Sequence, residues 1–226
     1  MDANPTEHPF PVLDNHCHLD RRGEFLGAVR AFWRAGGTHL NVVHKPDFSS
    51  LPTDGDGYRR SLVATCDLVD QVNAETPVVA FATVSPHPVE LTRHVENGMA
   101  LEEAEALVRD GLDAAARLVS EGRAIALGEV GRPHFDVPEP VMEAADRLFD
   151  HSMELARDLD CAAVIHSGVS EATTKTIGTG QRALICRAAA IPSISRNCWS
   201  ISTTSGCNAW ISSTACRPWA VSPTTT

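Results

Sequence analysis

An alternation of short apolar runs with amphipathic segments is the feature that most limits how this chain folds. Each apolar run has the length of a buried strand, and the segments between the runs repeat their apolar residues at helical spacing. We expect strands at 12–19, 40–43, 77–84, 124–127 and 161–165, and helices at 24–35, 58–73, 101–121 and 139–159. Because parallel strands need crossover connections, which are usually helices, the pattern predicts an α/β fold with a parallel sheet. Strands that are apolar throughout indicate a sheet covered on both faces.

Polar side chains cluster where these predicted strands end. The residues in question are His16, His18, His44, His87, Glu129 and His166. The C-terminal ends of parallel strands share one face of an open sheet or a barrel, and ligands bind at that face in both architectures. No glycine-rich phosphate loop follows the first strand, which argues against a dinucleotide or P-loop site. We therefore expect the chemistry of this chain at the strand ends.

The sharpest local pattern is His16-Cys17-His18. Alternate residues of an extended segment point the same way, so both imidazoles can converge on one ion. Imidazole suits zinc and similar divalent metals, and Asp14 or Asn15 can orient a ring nitrogen. Cys17 points to the opposite side and is interpreted as a packing residue. Two surface histidines flanking a cysteine are the alternative, and the pair alone does not decide between them.

Glu129 and His166 extend the hypothesis to other strands. Glu129 ends a buried strand between glycines, where a carboxylate can bridge two metal ions or act as a general base. A capping or solvent-facing glutamate is the alternative, and His166 is either a ligand or a buried, hydrogen-bonded histidine. The joint placement of these two residues with His16 and His18 at strand ends favours a metal site more than any one of them does.

Three further residues are candidates for contact with a substrate. His87 lies between two prolines, and Arg132 and His134 belong to the segment Gly131-Arg132-Pro133-His134-Phe135. The planar guanidinium of Arg132 matches phosphate oxygens, although an ion pair is an equal alternative. His87 and His134 are either substrate contacts or structural loop residues.

The composition changes near residue 172. All 29 acidic residues and all ten histidines lie at or before Glu171, and residues 172–226 contain neither type. Residues 1–171 carry 14 Lys/Arg against 29 acids, a net charge of −15, and the remainder carries +5 from five basic residues, which gives the −10 of the whole chain. A region with this negative charge repels nucleic-acid phosphates unless metal ions or a basic patch intervene.

The cysteine pattern and the hydropathy of the chain indicate in which cellular compartment the protein is expected. The seven cysteines include no CxxC pair, which predicts neither a zinc ribbon nor a disulfide framework. No apolar run approaches the ~18 residues of a membrane span. We expect a cytoplasmic protein without membrane contact, and its oligomeric state stays open.

Four segments, in this order, resemble the TatD-type metal-dependent hydrolases, often described as TatD-related deoxyribonucleases, a branch of the amidohydrolase-like barrels. The segments are Leu13-Asp14-Asn15-His16-Cys17-His18-Leu19-Asp20, Ser85-Pro86-His87-Pro88, Gly128-Glu129-Val130-Gly131 and Val164-Ile165-His166-Ser167. The segment 131–135 resembles an archaeal subgroup. The resemblance covers about residues 10–170.

The resemblance implies a (β/α)8 TIM barrel, truncated here to about five βα units and followed by an aberrant C-terminal tail. It implies one or two divalent metal ions (Zn, Mg or Mn) at the C-terminal mouth of the barrel. His16 and His18 would hold the first ion, Glu129 would bridge both ions as the catalytic carboxylate, and His166 would hold the second. His87 would line the substrate pocket. Residues 1–171 would then be a partial barrel domain, and residues 172–226 a non-matching tail.

The implied activity is hydrolysis of phosphodiester bonds in DNA or a small phosphoester by a metal-activated water. An amidohydrolase or lactonase on the same barrel, or an inert metal-binding fragment, are the alternatives. The family pattern also calls for a histidine after strand six and an aspartate after strand eight. The sequence after Glu171 has neither, so the activity of this chain stays open.

We predict that residues 172–226 arise from a shifted reading frame, with a genuine low-complexity extension as the alternative. Asp and Glu codons (GAN) read one base later become ACN or similar, which encodes Thr, and the chain ends in Pro223-Thr224-Thr225-Thr226. Translation of the other frames past codon 172 should yield a helix and strand continuation with His and Asp at strand ends. If no frame does so, the hypothesis is wrong.

Overall fold

The computed structural model describes residues 11–166 and the backbones of 198–202 and 208–212. Five parallel strands form one sheet. They are β1 (Leu13–Cys17), β2 (His39–Val43), β3 (Val79–Val84), β4 (Ala126–Gly131) and β5 (Ala162–His166). Their spatial order is the same as their order in the chain. A doubly wound sheet reverses its order at a switch point, so this consecutive order is that of a (β/α) barrel, as predicted.

Five helices connect the strands. They are α1 (Phe25–Arg34), α2 (Gly55–Glu75), α3 (Val89–Glu96), α4 (Leu101–Ser120) and α5 (Glu139–Asp158). The side chain of Asp54 caps α2 by accepting the Gly57 N–H at 2.6 Å, and Pro140 suits the first turn of α5 because that turn needs no N–H donor. Four of the helices match the predicted segments, whereas α3 was not predicted. Its eight residues are too few to show a helical period.

The hydrophobic core lies between the sheet and the helices. Leu40 and Val42 of β2, with alternate residues of β3, contribute to one buried cluster with Leu62 of α2 and Leu118 of α4. The opposite face of the sheet is partly polar, since Thr83 donates its hydroxyl hydrogen to Asn41 at 2.7 Å. Apolar residues thus turn towards the helices, and polar ones towards the barrel interior.

The sheet is strongly curled. Neighbouring strands lie about 4.8 Å apart, so in a flat sheet three steps would separate β1 from β4 by roughly 14 Å. A histidine and a glutamate side chain do not bridge that separation, yet Nε2 of His16 in β1 lies 3.7 Å from Oε2 of Glu129 in β4. The five strands therefore curve around a common axis as half of a barrel.

Two expectations need correction. β4 extends to Gly131 rather than ending near 127, because its polar end continues to pair with β5 after a register irregularity. Within the predicted tail, β6 (Cys198–Ser202) and β7 (Asn208–Ser212) pair in antiparallel fashion, although no strand was expected there. The alternation of apolar and serine residues in 198–202 was the available signal. The rest of the predicted tail lies outside the described residues, and the boundary at 171 stays a prediction.

Two smaller expectations concern Cys17 and the membrane. Cys17 packs against the core, and burial raises the pKa of its thiol to about 12, in keeping with a packing role. Among the described helices, none combines the length and the apolar character that crossing a membrane requires.

Candidate metal centre

His16 and His18 stand together at the end of β1. Their ring centroids are 5.1 Å apart, and Nε2 of each faces Oε2 of Glu129, at 3.7 Å from His16 and 4.0 Å from His18. His18 donates its Nδ1–H to the carbonyl of Val43 at 3.0 Å. A carbonyl only accepts, so the neutral ring carries its proton on Nδ1 and its Nε2 lone pair faces the carboxylate. Two acceptors that face each other in this way are an arrangement that a cation stabilises.

Asp14 stabilises the backbone at the end of β1. Its carboxylate accepts the backbone N–H of His16 at 3.1 Å. Nδ1 of His18 is held by the Val43 carbonyl on the neighbouring strand, and the prediction that Asp14 or Asn15 orients a ring nitrogen stays a prediction. A partner on another strand leaves no trace in the local sequence.

Glu129 lies at the centre of the cluster and only 8% of it is exposed. Gly128 brings β4 close to its neighbours, since a Cβ there would lie 2.6 Å from Cβ of Val164 and 2.9 Å from Cγ2 of Thr83. Gly131 has φ +144°, and a Cβ there would meet the carbonyl oxygen of His166. The glycines on both sides of Glu129 therefore permit the close strand approach that buries its carboxylate.

His166 and His87 approach Glu129 from the other side. Nδ1 of His166 lies 3.0 Å from Oε1, and Nε2 of His87 lies 3.8 Å from Oε2. The His87 and His166 rings are 4.5 Å apart. His87 was predicted to contact substrate, and the structure places it at the distance of a candidate ligand.

Two groups of donors share Glu129. One is His16, His18 and Glu129, and the other is His87, Glu129 and His166; within each group the candidate ligand atoms lie within 4.8 Å of one another. Ligands of one zinc ion lie about 2.0–2.2 Å from it, so small side-chain movements suffice to close either group. Imidazole with carboxylate suits zinc or manganese better than magnesium, which prefers oxygen ligands. The residues present thus fit one or two divalent transition ions.

The electrostatics keep the donors in the protonation state that an ion needs. Burial raises the pKa of Glu129, but the hydrogen bond with His166 and the nearby His16 and His87 outweigh burial, so this pKa lies below its ordinary value. Burial lowers the pKa of His16, and it lowers that of His87 to about 4. At neutral pH the carboxyl group is therefore ionised and both rings are neutral, as metal ligands must be.

The other two predicted substrate residues lie apart from Glu129. The guanidinium of Arg132 forms an ion pair with Asp146 of α5, which is the alternative weighed for it from the sequence. Nδ1 of His134 lies 3.0 Å from Nε2 of His166, so His134 contacts a candidate ligand. The roles of both residues remain predictions.

Two buried residues lie beside the cluster, of which His44 was noted at a strand end from the sequence and Glu90 was missed. Nδ1 of His44 is hydrogen-bonded to the hydroxyl of Thr65 at 2.8 Å, and burial lowers the pKa of His44 to about 4. Glu90 accepts the backbone N–H of His87 at 2.7 Å, and burial raises its pKa to about 7. A glutamate three residues after His87 has the spacing of a capping box, and that spacing was the available signal.

Two comparisons of the sequence with known proteins give matches. The sequence profile of the family described as TatD related DNase matches residues 13–188, past the predicted boundary at 171. The uncharacterized protein MJ1127 of Methanocaldococcus jannaschii is 40% identical over 166 residues, which are 70% of this chain and 55% of that protein. This chain thus spans about half the length of that relative.

Two solved structures are also similar. The crystal structure of YJJV, a TatD homolog from Escherichia coli K12, has a TM-score of 0.45 and 21% identity over 72% of this chain and 52% of that chain. An uncharacterized amidohydrolase from Saccharomyces cerevisiae has a TM-score of 0.46 and 11% identity over 71% of this chain and 49% of its own.

Stability should depend on the titration of His44. The pKa of this ring falls from 6.5 when unfolded to about 4 when folded, so the unfolded chain binds more protons between these values. The free energy of unfolding should therefore decrease as the pH falls from 6.5 to 4, by at most roughly 3 kcal/mol from this group. His44→Asn keeps a polar atom for Thr65 but does not titrate. Denaturant melts with a chelator present should show a shallower acid loss in the variant, and parallel curves would contradict the assignment.

Gly128→Ala should destabilise the protein by about 1–3 kcal/mol, because the new methyl group overpacks against Val164 and Thr83. Gly27→Ala is the matched control, since a Cβ there meets nothing closer than 3.9 Å within helix α1. The control should be neutral or stabilising by about 0.5–1 kcal/mol. Equal stability of the Gly128→Ala variant and wild type in urea melts would show that the close approach is not needed.

Proposed function

We propose that this chain, which belongs to the TatD related DNase family, is the ion-binding part of a metal-dependent hydrolase that cleaves phosphodiester bonds. The observation that carries the proposal is the convergence on Glu129. One of its carboxylate oxygens lies within 4.0 Å of His16, His18 and His87, and the other lies 3.0 Å from His166. Four imidazoles around one buried carboxylate have no evident role in packing and match the donors of a divalent ion.

The roles follow from the two donor groups. His16 and His18 would hold one ion through Nε2, His166 with His87 would hold the other, and Glu129 belongs to both groups. When bound, divalent ions polarise a phosphoryl oxygen and lower the pKa of a water molecule. The lowered pKa of Glu129 keeps it ionised, so it can position that water or accept its proton. The curled sheet holds these side chains in place before any substrate arrives.

The substrate is DNA or a small phosphoester in this proposal. The net charge of −15 over residues 1–171 opposes contact with a long nucleic acid, and bound divalent ions reduce that repulsion only near the centre. A small phosphoester is therefore the better fit to the acidic surface. The protein is proposed to act in the cytoplasm.

One observation favours a second candidate. Arg132, the residue predicted to recognise phosphate, is paired with Asp146 in the structure. A substrate without phosphate, such as a lactone or a cyclic amide, needs no such arginine, and related barrels host many chemistries. An amidohydrolase or lactonase is the second candidate. A third, an inert ion-binding fragment, follows from the absence of histidine and acidic residues after Glu171 in the sequence.

Assays of three substrates, with wild type and the Glu129→Gln variant, should distinguish these candidate functions. The protein is loaded with Zn2+ or Mn2+ and assayed on an aryl phosphodiester, a lactone and a cyclic amide, with Glu102→Gln on the exposed start of α4 as the control. Phosphodiester hydrolysis that a chelator abolishes, and that Glu129→Gln slows by about 10²–10⁴-fold, supports the proposal. Exclusive turnover of the lactone or amide supports the second candidate.

Metal analysis of the same samples completes the test. If the protein binds an ion, Glu129→Gln weakens that binding and no substrate is hydrolysed, the chain is the inert ion-binding fragment of the third candidate. If the wild-type protein binds no divalent ion, the proposal of a metal-dependent hydrolase is wrong. The control variant should match wild type in both measurements.

A further inference from the structure

We infer that His134 is a positioning residue for His166, which it holds in the tautomer that binds an ion. The inference rests on the proposed metal centre and adds to it a residue that neither donor group contains. Nε2 of His166 lies 3.0 Å from Nδ1 of His134, while Nδ1 of His166 lies 3.0 Å from Oε1 of Glu129. His166 therefore uses both ring nitrogens, one towards the carboxylate and one towards His134.

A neutral imidazole carries one ring proton, and its location in His166 decides which nitrogen can bind an ion. When no ion is bound, a proton on Nδ1 can be donated to Glu129. An ion shared by Glu129 and Nδ1 needs that nitrogen unprotonated, because only the lone pair can coordinate. The proton must then lie on Nε2 of a side chain that is only 11% exposed, where an acceptor stabilises the N–H. Nδ1 of His134 is at hydrogen-bonding distance and can accept it.

The backbone that precedes His134 packs closely against His166. Gly131 pairs with His166 across β4 and β5, and the space of a Gly131 side chain is taken by the His166 carbonyl oxygen. Pro133 is buried, and Arg132 is tied to Asp146 of α5. These three residues fix the segment that leads into His134. The segment Gly131-Arg132-Pro133-His134 thus acts as a support for one ligand.

The arrangement also explains the location of the His134 ring. Residue 134 is exposed, so its Nε2–H can be solvated while Nδ1 stays unprotonated for His166. Ligand histidines in metal sites commonly donate their second N–H to a fixed partner, which sets the tautomer and raises ligand basicity. Here the partner would be a second histidine rather than a carboxylate or a backbone carbonyl.

Cobalt titration of the full chain tests the inference. A His18→Leu background weakens the other donor group, so that binding reports on the ion held by His166. Each of three substitutions is then added separately to this background: His134→Asn, His134→Leu and the control His151→Leu. His151 is a suitable control because it pairs with Asp113 and lies outside both donor groups. The Oδ1 atom of asparagine occupies nearly the place of histidine Nδ1 and can accept the same N–H. Thermal melts with a chelator confirm that each variant folds.

We expect His134→Leu to weaken Co2+ binding by about 10–100-fold, as loss of a supporting partner does. His134→Asn should bind Co2+ almost as tightly as the His18→Leu protein does, with the same cobalt absorption spectrum. His151→Leu should have the same Co2+ affinity as the His18→Leu protein.

Three outcomes would overturn the inference. The first is equal affinity in the leucine variant, and the second is no Co2+ binding in the His18→Leu background. The third is a failure of asparagine to rescue together with a changed spectrum, which would make His134 itself a ligand. No substrate enters this titration, so an absence of hydrolysis alone contradicts the proposed function and leaves this inference standing.

Discussion

The buried carboxylate of Glu129 is the constraint on which the site depends. An ionised carboxylate is costly to bury unless opposite charges or hydrogen bonds compensate for the lost hydration. A hydrogen bond from His166 supplies part of that compensation, and the pKa of Glu129 lies below its ordinary value although burial alone would raise it. A bound cation would supply the rest, and the sheet curls enough to bring His16 and His18 from the end of β1 to the same carboxylate.

Much of this fold could be predicted from local patterns. Buried parallel strands and their connecting helices have periods that a linear sequence displays, so the order of the five strands was predictable. The positions of His16, His18, Glu129 and His166 at strand ends were predictable for the same reason. Helix α3 was not, because eight residues beside two prolines show no period.

Contacts between distant elements set the limit of such prediction. The carbonyl that orients His18 belongs to Val43 on the next strand, and the carboxylate that engages Arg132 belongs to Asp146 on a helix. The sequence shows that each residue can form these contacts, but which partner it meets depends on how β1, β4 and α5 pack. Arg132 illustrates the consequence, since its chemistry suits phosphate and an aspartate equally well.

Candidate donors for an ion already lie together at the ends of the first five strands. Two groups of three candidate ligands, joined at Glu129, lie entirely on β1, β4, β5 and the loop after β3. The family pattern expects further ligands from strands six and eight, and such residues would fill coordination positions that these groups leave to solvent or substrate. Ion affinity and turnover are therefore separable in a barrel of this kind. Under the proposed function, affinity would follow from how closely the donors approach Glu129, whereas turnover would need the remaining wall to orient the substrate and exclude water.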